Sequence, residues 1–277
     1  MSWPAAVVFD MDGILIETEP IWDKVRRRMA TEDGLSWPDA STPIMMGLST
    51  REWAEHMTDV IGIPGTWEEV SQRTIDGVAS EYASGGLPVL PGAVDAVRRM
   101  AGLVPTAIAS SSPRRLVDLI VARLDLGDAL TVTVSTEEVP RGKPYPDGYL
   151  RACELLGVDA ARAVAVEDST NGVLSAHAAG MAVVCVPPGF HPPADDTLQL
   201  CAAVLESLDD LTEDLVRSLG TGDLRVGCPD AITVNERSRP EVARSGLGAA
   251  ACTKRNSCPD EYRPPGLGRS DYWKGMS

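Results

Sequence analysis

The chain has 277 residues, of which 44% are hydrophobic and 23% are charged, as expected for a globular protein with one or two domains. Its formal net charge of −15 argues against nucleic acid and against an anionic membrane as the main partner. No apolar stretch approaches the roughly 20 residues of a membrane span, and the first residues lack the pattern of a signal peptide. The six cysteines show no paired metal-ligand spacing. We therefore expect a cytoplasmic protein with reduced thiols, as a monomer or weak dimer, that binds neither nucleic acid nor membrane.

The first predicted strand is followed at once by two acidic residues and a glycine. Residues 5–9 are apolar and rich in valine, which is typical of a buried strand. Asp10 ends this run, and Asp12 and Gly13 follow. Open α/β sheets bind ligands at the carboxyl ends of their strands, and two close carboxylates are costly unless a cation lies between them or one is protonated. The pattern predicts either a metal site or, equally, an ordinary turn in which aspartate and glycine form local hydrogen bonds.

Residues 17–88 contain helical patterns and no convincing strand. Thr18 is placed to cap a helix that begins near Pro20, and Trp22 lies on the apolar face of that helix. Two further helical patterns follow, separated by loops at prolines and glycines; they cover about residues 51–61 and 67–82. We predict a small helical module inserted directly after the first strand.

Strands alternate with helices beyond the glycine-rich stretch at residues 85–88. The later predicted strands cover residues 104–109, 131–135, 163–166 and 182–186. A last helix is predicted from a leucine stripe that runs from Leu208 to Leu219. This alternation predicts an α/β fold with a doubly wound parallel sheet.

Polar residues stand at the ends of the predicted strands. Ser110 and Ser111 follow the second strand, Lys143 lies in the loop after the third, and Glu167 and Asp168 end the fourth. Each has an ordinary alternative: a helix cap for the serines, a solvated charge for the lysine, and a helix start for the acidic pair. Because the ends of parallel strands lie at one edge of the sheet, we expect these side chains to converge with the two aspartates after the first strand.

In combination, these segments resemble the haloacid dehalogenase superfamily, in the branch that holds phosphatases and β-phosphoglucomutase-like enzymes. The matching segments are Val8-Phe9-Asp10-Met11-Asp12-Gly13, Ala109-Ser110-Ser111-Ser112, Gly142-Lys143-Pro144 with Pro146-Asp147, and Val166-Glu167-Asp168-Ser169 with Gly172. The resemblance covers about residues 5–216. It implies a discontinuous Rossmann-like core, residues 1–16 and 89–216, with residues 17–88 inserted as a helical cap domain.

The resemblance also implies roles for the four acidic residues. Asp10 would be the nucleophile that forms an aspartyl-phosphate, and Asp12 would be the general acid and base. Mg²⁺ would be the cofactor, bound by Asp10, the carbonyl of Asp12, and Asp168, with Glu167 either a further ligand or a residue behind the ligands. The metal would let an anionic nucleophile approach an anionic phosphate.

The remaining implied roles concern the phosphate of the substrate. Ser110, Ser111 with the backbone amides of this segment, and Lys143 would bind the phosphoryl oxygens and offset their charge. Without Lys143, the site would be too negative to hold a phosphate.

Two positions in the predicted cap depart from the sugar-phosphate mutases of this branch. Trp22 stands where the mutases carry a histidine, and Thr50 stands where they carry a phosphate-binding arginine, although Arg51 is adjacent. Trp22 could line the pocket or pack the cap helices; with Arg51, it is a candidate substrate contact.

We therefore expect a Mg²⁺-dependent phosphatase that acts on a small phosphorylated metabolite, such as a sugar phosphate. A β-phosphoglucomutase-type mutase is the alternative. A non-catalytic protein that binds a phosphorylated ligand is a third possibility, but such proteins usually lose the nucleophile or the acid, and both Asp10 and Asp12 are present.

Residues 217–277 have a different composition from the rest of the chain. They are rich in glycine, proline, serine and arginine, contain more basic than acidic residues, and show no apolar periodicity. We predict that this tail is disordered, and the resemblance does not extend into it.

Overall fold

The computed structural model of the chain describes residues 3–45, 48–85, 87–189 and 192–219. Within these residues, six strands form one parallel sheet, with the following bounds: β1 Ala6–Phe9, β2 Thr106–Ser110, β3 Val132–Ser135, β4 Ala163–Glu167, β5 Ala182–Cys185 and β6 Ala203–Val204. Their spatial order is β3-β2-β1-β4-β5-β6. The strand order reverses beside β1, where the chain passes first to β2 on one side and later to β4 on the other. This confirms the predicted α/β class with a doubly wound parallel sheet.

Ten α-helices accompany the sheet in the described part of the chain. Their bounds are α1 Glu19–Glu32, α2 Ser41–Met45, α3 Thr50–His56, α4 Trp67–Ser84, α5 Ala93–Ala101, α6 Arg114–Arg123, α7 Asp147–Leu156, α8 Thr170–Ala178, α9 Asp195–Leu198 and α10 Glu213–Ser218. A π-helical turn, Met57–Ile61, continues directly from α3. None of the described helices is long and apolar enough to cross a membrane.

The central strand β1 is buried on both faces of the sheet, because helices cover both sides. Val7 and Phe9 face an apolar cluster that includes the inner sides of α5 and α6, whereas Ala6 and Val8 face a second cluster formed with α7 and α8. A strand that is buried on both sides reads as a continuous apolar run without polar alternation. This explains why residues 5–9 were recognisable as a strand from sequence.

Helices α1 to α4 lie between β1 and the rest of the sheet in the chain, and they pack against one another. Two of them begin with capping boxes, in which Ser49 and Glu52 close the start of α3 and Thr66 and Glu69 close the start of α4. The described residues of 17–88 contain no strand, as predicted, and isolated bridges occur only outside this segment, where Ile16 pairs with Asp12 and Val89. The assignment of residues 17–88 to a separate cap domain remains a prediction.

Four elements differ from the sequence-based expectation, and two of them, the four-residue helix α9 and the two-residue strand β6, are short elements that were not predicted. The short helix α2 was not predicted, because Pro43 indicated a loop; the proline instead lies in its first turn, where a missing N–H is tolerated. The predicted leucine helix begins later than expected, at Glu213, because Thr212 accepts a hydrogen bond from the amide of Leu215 and caps the helix there. The tail predicted to be disordered was placed at residues 217–277, but Arg217 and Ser218 belong to α10. The part of this tail beyond residue 219 lies outside the described residues.

Candidate active site

The carboxyl ends of β1, β2 and β4 bring the predicted polar residues together at one edge of the sheet. Phe9 pairs with Val166, so Asp10 emerges beside Glu167, and the Asp10 amide donates to the Val166 carbonyl at 2.9 Å. Ser110 ends β2 on the other side of β1. The adjacent strands of a parallel sheet place all these side chains at the same edge.

Lys143 reaches this edge from the loop after β3 and joins two of the carboxylates. Its Nζ lies 2.7 Å from Asp10 Oδ1 and 2.6 Å from Glu167 Oε1, and only 9% of its side chain is exposed. Burial by itself lowers the pKa of Lys143, but the negative charges of Asp10 and Glu167 raise it by more. The net effect is a pKa above the usual value for lysine. Lys143 is therefore a buried cation held between two acidic residues, and not a solvated loop charge.

Glu167 is fully buried and both its oxygens are already engaged. Oε1 accepts from Lys143 and from the Tyr149 hydroxyl at 2.5 Å, and Oε2 accepts from the Asp168 amide at 3.1 Å and the Ser169 hydroxyl at 3.3 Å. Burial raises the pKa of the Tyr149 phenol, so it remains a donor. These contacts suit a residue that orients Lys143 and Asp168. Tyr149 was not singled out from the sequence, because it belongs to a distant helix, α7.

Asp10, Glu167 and Asp168 form an acidic cluster whose oxygens lie within 4.8 Å of one another. Burial, together with the charges of Glu167 and Asp10, raises the pKa of Asp168 to about 9, and burial raises that of Asp10 to about 7. Asp168 Oδ1 is buried and has no hydrogen-bond partner. An unpartnered carboxylate oxygen beside two other carboxylates fits a divalent cation, which prefers oxygen ligands.

Gly13 is required at this point because the backbone approaches Asp168 closely. Its φ of +85° is in the left-handed region, and a Cβ built on it would lie 2.0 Å from Asp168 Oδ2. Asp168 and the turn after β1 are thus packed against each other with no room for a side chain.

Asp12 is held by three hydroxyl groups from two parts of the chain. Its Oδ2 accepts from Ser112 at 2.8 Å and from Ser110 at 3.1 Å, and its Oδ1 accepts from Thr18 at 2.8 Å. Thr18 occupies the N-cap position of α1, but its side chain forms no capping hydrogen bond. The predicted cap is therefore wrong: the hydroxyl of Thr18 serves Asp12 instead.

A cavity of about 320 Å³ opens above these residues. The predicted site residues that line it are Asp10, Asp12, Trp22, Ser111, Lys143 and Asp168. Ser110 is buried and is not among the lining residues. The chain thus brings residues from five separate parts of the sequence to this cavity, and Ser110 is hydrogen-bonded to Asp12 beside it.

Arg51 is not among the residues that line the cavity, in contrast to its neighbour Thr50. The Arg51 guanidinium lies 2.7 Å from Glu55 and stacks 5.6 Å from the Trp67 ring centroid, and its side chain is 65% exposed. The structure therefore does not bring Arg51 to the other predicted site residues.

A different arginine lines the cavity. Arg26 of α1 is only 4% exposed and lies beside Trp22 and Trp53, which also line the cavity. The sequence analysis missed it, although a signal was present: Arg26 lies four residues after Trp22 and three before Met29, on the same helix face. A charged residue within a buried stripe is unusual and points to function.

A parallel α/β sheet with clustered carboxylates and a buried lysine at its carboxyl edge is typical of an active site. A family model described as haloacid dehalogenase-like hydrolase matches residues 4–180. The chain belongs to this family of hydrolases, which confirms the resemblance found in the sequence.

Individual relatives agree with this assignment. Hexitol phosphatase B of Escherichia coli (strain K12) is 33% identical over 217 residues, covering 75% of this chain and 94% of that protein. The phosphorylated carbohydrates phosphatase of Thermotoga maritima is 32% identical over 177 residues, covering 64% of this chain and 82% of that protein. The crystal structure of a HAD family hydrolase from Deinococcus radiodurans R1, with bound phosphate and sodium, matches with a TM-score of 0.58 and 28% identity, covering 79% of this chain and 98% of that chain.

Proposed function

We propose that the protein is a Mg²⁺-dependent phosphatase that hydrolyses the phosphoric monoester of a small metabolite, such as a sugar phosphate. The observation that carries this proposal is the pairing of Asp10 and Asp12 at one cavity, with the buried cation of Lys143 2.7 Å from Asp10. The relatives that carry the name phosphatase support the same reaction.

Asp10 acts as the nucleophile in this proposal. One of its carboxylate oxygens attacks phosphorus, the ester P–O bond breaks, and an aspartyl-phosphate forms on Asp10. Asp12 donates a proton to the leaving alkoxide, then takes a proton from the water that attacks the aspartyl-phosphate and releases inorganic phosphate. Hydrogen bonds from Ser110, Ser112 and Thr18 orient the Asp12 carboxyl at the cavity.

The phosphoryl oxygens require positive charge and hydrogen-bond donors. Lys143 supplies the cation, and Ser111 with the backbone amides of its segment supplies donors at the cavity wall. Ser110, which is already bonded to Asp12, serves the phosphate only indirectly.

Asp10, Asp168 and the carbonyl of Asp12 would hold Mg²⁺, and Glu167 would orient them through Lys143 and the Asp168 amide. When bound, Mg²⁺ supplies positive charge that reduces the repulsion between the carboxylates and the phosphate. The unpartnered Asp168 Oδ1 is the atom best suited to bind it.

The proposal is tested by the hydrolysis of para-nitrophenyl phosphate with Mg²⁺ and with EDTA. We expect turnover only with Mg²⁺, and a loss of at least roughly a thousandfold in kcat for Asp10→Asn, because an amide is a far poorer nucleophile than a carboxylate. Asp39→Asn is the matched control, since its side chain is 99% exposed.

Circular dichroism would show whether the Asp10→Asn variant is folded. Substantial activity in a folded Asp10→Asn protein would exclude the covalent mechanism. A wild-type protein that binds phosphate but turns over no ester would instead support the non-catalytic phospho-ligand binding protein.

A sugar-phosphate mutase is the second candidate, and the position of Arg26 at the cavity favours it. A mutase must bind the distal phosphate of its bisphosphate intermediate, and Arg26 provides a buried cation at the cavity that neither Trp22 nor Thr50 provides. Hydrolysis remains the first choice because of the named phosphatase relatives.

The two reactions are separated with β-glucose 1-phosphate as substrate and glucose 1,6-bisphosphate as activator. We expect inorganic phosphate or no product, and no appreciable glucose 6-phosphate. Coupling to glucose-6-phosphate dehydrogenase measures isomerisation, with released phosphate measured in parallel. Isomerisation much faster than phosphate release would establish the mutase instead.

A further inference from the structure

Arg26 is a buried cation in the wall of the same cavity that holds Asp10 and Asp12. It belongs to α1, and its side chain is only 4% exposed. Lys143 pairs with Asp10 and Glu167 and serves the reacting phosphate in the proposed hydrolysis, whereas that reaction gives Arg26 no task. A buried guanidinium that the proposed reaction does not use requires an explanation, because it remains charged at all ordinary pH values.

Two indole rings fix the position of this guanidinium. Its central carbon lies 5.0 Å from the ring centroid of Trp22 and 5.2 Å from that of Trp53, and the two rings meet edge to face at 5.6 Å. Cation–π contact with both rings holds the side chain in place and excludes water from it. The charge is therefore both preorganised and poorly hydrated.

The hydrogen-bonding capacity of Arg26 is not satisfied within the protein. Nε and Nη1 are both buried and have no hydrogen-bond partner. The nearest acidic group, Glu19 Oε2, lies 4.0 Å from Nη1, which is beyond hydrogen-bond distance, and it also lacks a partner. The next two arginines of α1 behave differently: Arg27 bonds to Asp23 and Arg28 to Glu81, both at 2.7 Å.

A purely structural ion pair with Glu19 does not account for this arrangement. Glu19 Oε2 and Arg26 Nη1 form no hydrogen bond with each other and both lack a partner. Burial raises the pKa of the Glu19 carboxyl, so the site favours its charged form less than water does. Substrate hydroxyl groups could accept hydrogen bonds from Arg26, but they would leave its charge uncompensated. A carboxylate or a phosphate would supply both an opposite charge and two acceptor oxygens for the planar guanidinium.

We propose that Arg26 recognises a second anionic group, a carboxylate or a phosphate, on the substrate whose phosphoric ester reacts at Asp10. This inference rests on the proposed phosphatase function and defines its substrate class as metabolites that carry a phosphate ester and a distal acidic group. Trp22 and Trp53 are the positioning residues that hold the guanidinium for this contact.

The first test compares substrates that differ only at the end distant from the ester. Glucitol 6-phosphate, 6-phosphogluconate and glucitol 1,6-bisphosphate share a six-carbon polyol chain and end in a hydroxymethyl, a carboxylate and a phosphate, respectively. Glycerol 3-phosphate and 3-phosphoglycerate form a shorter pair. We expect at least one anionic substrate to exceed its neutral counterpart by about tenfold or more in kcat/KM, and the better arm identifies the acidic group.

The second test assigns this preference to Arg26. In Arg26→Gln, the ratio of kcat/KM for the anionic over the neutral substrate falls by about tenfold or more, mainly through KM. Arg28→Gln is the matched control, because this residue lies on the same helix but pairs with Glu81 at 43% side-chain exposure, and it keeps the wild-type ratio. If Arg26 has only a structural role, the substitution lowers kcat/KM for both substrates by the same factor, and that result overturns the proposal.

The outcomes separate this inference from the function on which it rests. The wild-type protein could hydrolyse para-nitrophenyl phosphate and both the six-carbon and three-carbon esters without preferring an anionic end. That result overturns only the role of Arg26. No turnover of any ester by the wild-type protein with Mg²⁺ overturns the proposed function, and this inference with it. If Arg26→Gln fails to fold, the comparison of substrates with the wild-type protein still decides. Equal kcat/KM values for the neutral and the anionic substrates refute the proposal.

Discussion

At the scale of single residues, the site concentrates negative charge in a small buried volume. Lys143 is the one cation that contacts the acidic cluster of Asp10, Glu167 and Asp168 among the described residues. One positive charge cannot compensate three carboxylates, so at least one of them binds a proton or a cation. Asp168 has the more strongly raised pKa of the two aspartates in this cluster, about 9, compared with about 7 for Asp10.

The pH dependence of stability follows from that shift. A carboxyl with a pKa near 9 in the folded state and about 4 in the unfolded state binds its proton more tightly when folded. Its contribution to stability is fully present below about pH 4 and is lost as the pH rises toward 9. In EDTA, we expect the melting temperature to fall by several degrees from pH 5.5 to pH 8.5, as measured by circular dichroism.

Added Mg²⁺ should raise the melting temperature more at pH 8.5 than at pH 5.5, because the ionised cluster binds the cation. Asp168→Asn should flatten the pH dependence and remove most of the effect of Mg²⁺, whereas Asp39→Asn should behave as the wild type. If the melting temperatures of Asp168→Asn and wild type depend on pH and on Mg²⁺ in the same way, the raised pKa of Asp168 is not the source of the pH dependence.

At the scale of elements, the start of α8 is built around the carboxylate of Glu167. Ser169 caps this helix by accepting from the Gly172 amide at 3.2 Å, and the same hydroxyl donates to Glu167. A Cβ on Gly172 would lie 1.9 Å from Glu167 Oε2. The helix can therefore approach the strand end only with glycine at this position.

Substitution of this glycine should disturb the site through Glu167. We expect Gly172→Ala to lower the unfolding free energy by about 1–3 kcal/mol and to reduce kcat/KM by roughly a hundredfold, because Glu167 no longer holds Lys143 and Asp168 in place. Urea unfolding and para-nitrophenyl phosphate kinetics measure the two effects.

Gly148 provides the matched control in the neighbouring helix α7, where an added Cβ would meet no atom within 4 Å. Gly148→Ala should be neutral or stabilising by up to about 1 kcal/mol, because alanine favours the helical backbone. Equal tolerance of both substitutions would show that Glu167 can move without consequence.

Over the described chain as a unit, the last helix, α10, packs beside the first described residues. Val216 of α10 is fully buried, and its carbonyl accepts a hydrogen bond from Trp3 Nε1 at 3.1 Å, so the two ends of the described chain meet. Arg99 of α5 donates to the carbonyls of Leu208 and Leu211. These contacts hold α10 and the first described residues against the layer that contains α5.

Removal of residues 220–277 should therefore leave the enzyme intact. We expect the truncated protein to melt within about 2 °C of the full chain and to keep its phosphatase activity, because a segment without apolar periodicity adds little buried surface. Calorimetry and para-nitrophenyl phosphate turnover provide the comparison. A truncated protein that is insoluble or inactive would refute this expectation.

The sequence alone determined the class of fold and the edge of the sheet that carries the chemistry. Continuous apolar runs such as residues 5–9 identify strands covered on both faces, and their alternation with helices requires a parallel sheet. Once the sheet is parallel, Asp10, Ser110 and Glu167 must emerge at one edge, so their convergence follows from topology without knowledge of side-chain positions.

Which side chains from different segments meet depends on how the helices and strands dock in the folded chain. Thr18 bonds to Asp12 instead of capping its own helix, and Tyr149 reaches Glu167 from α7, because these contacts depend on how α1 and α7 dock. Arg26 lines the cavity, whereas Arg51 does not and pairs with Glu55, although both lie on helices of one segment. The rotation of each helix about its axis selects the face that lines the cavity, and this rotation is set by packing against distant residues, which a local sequence pattern does not contain.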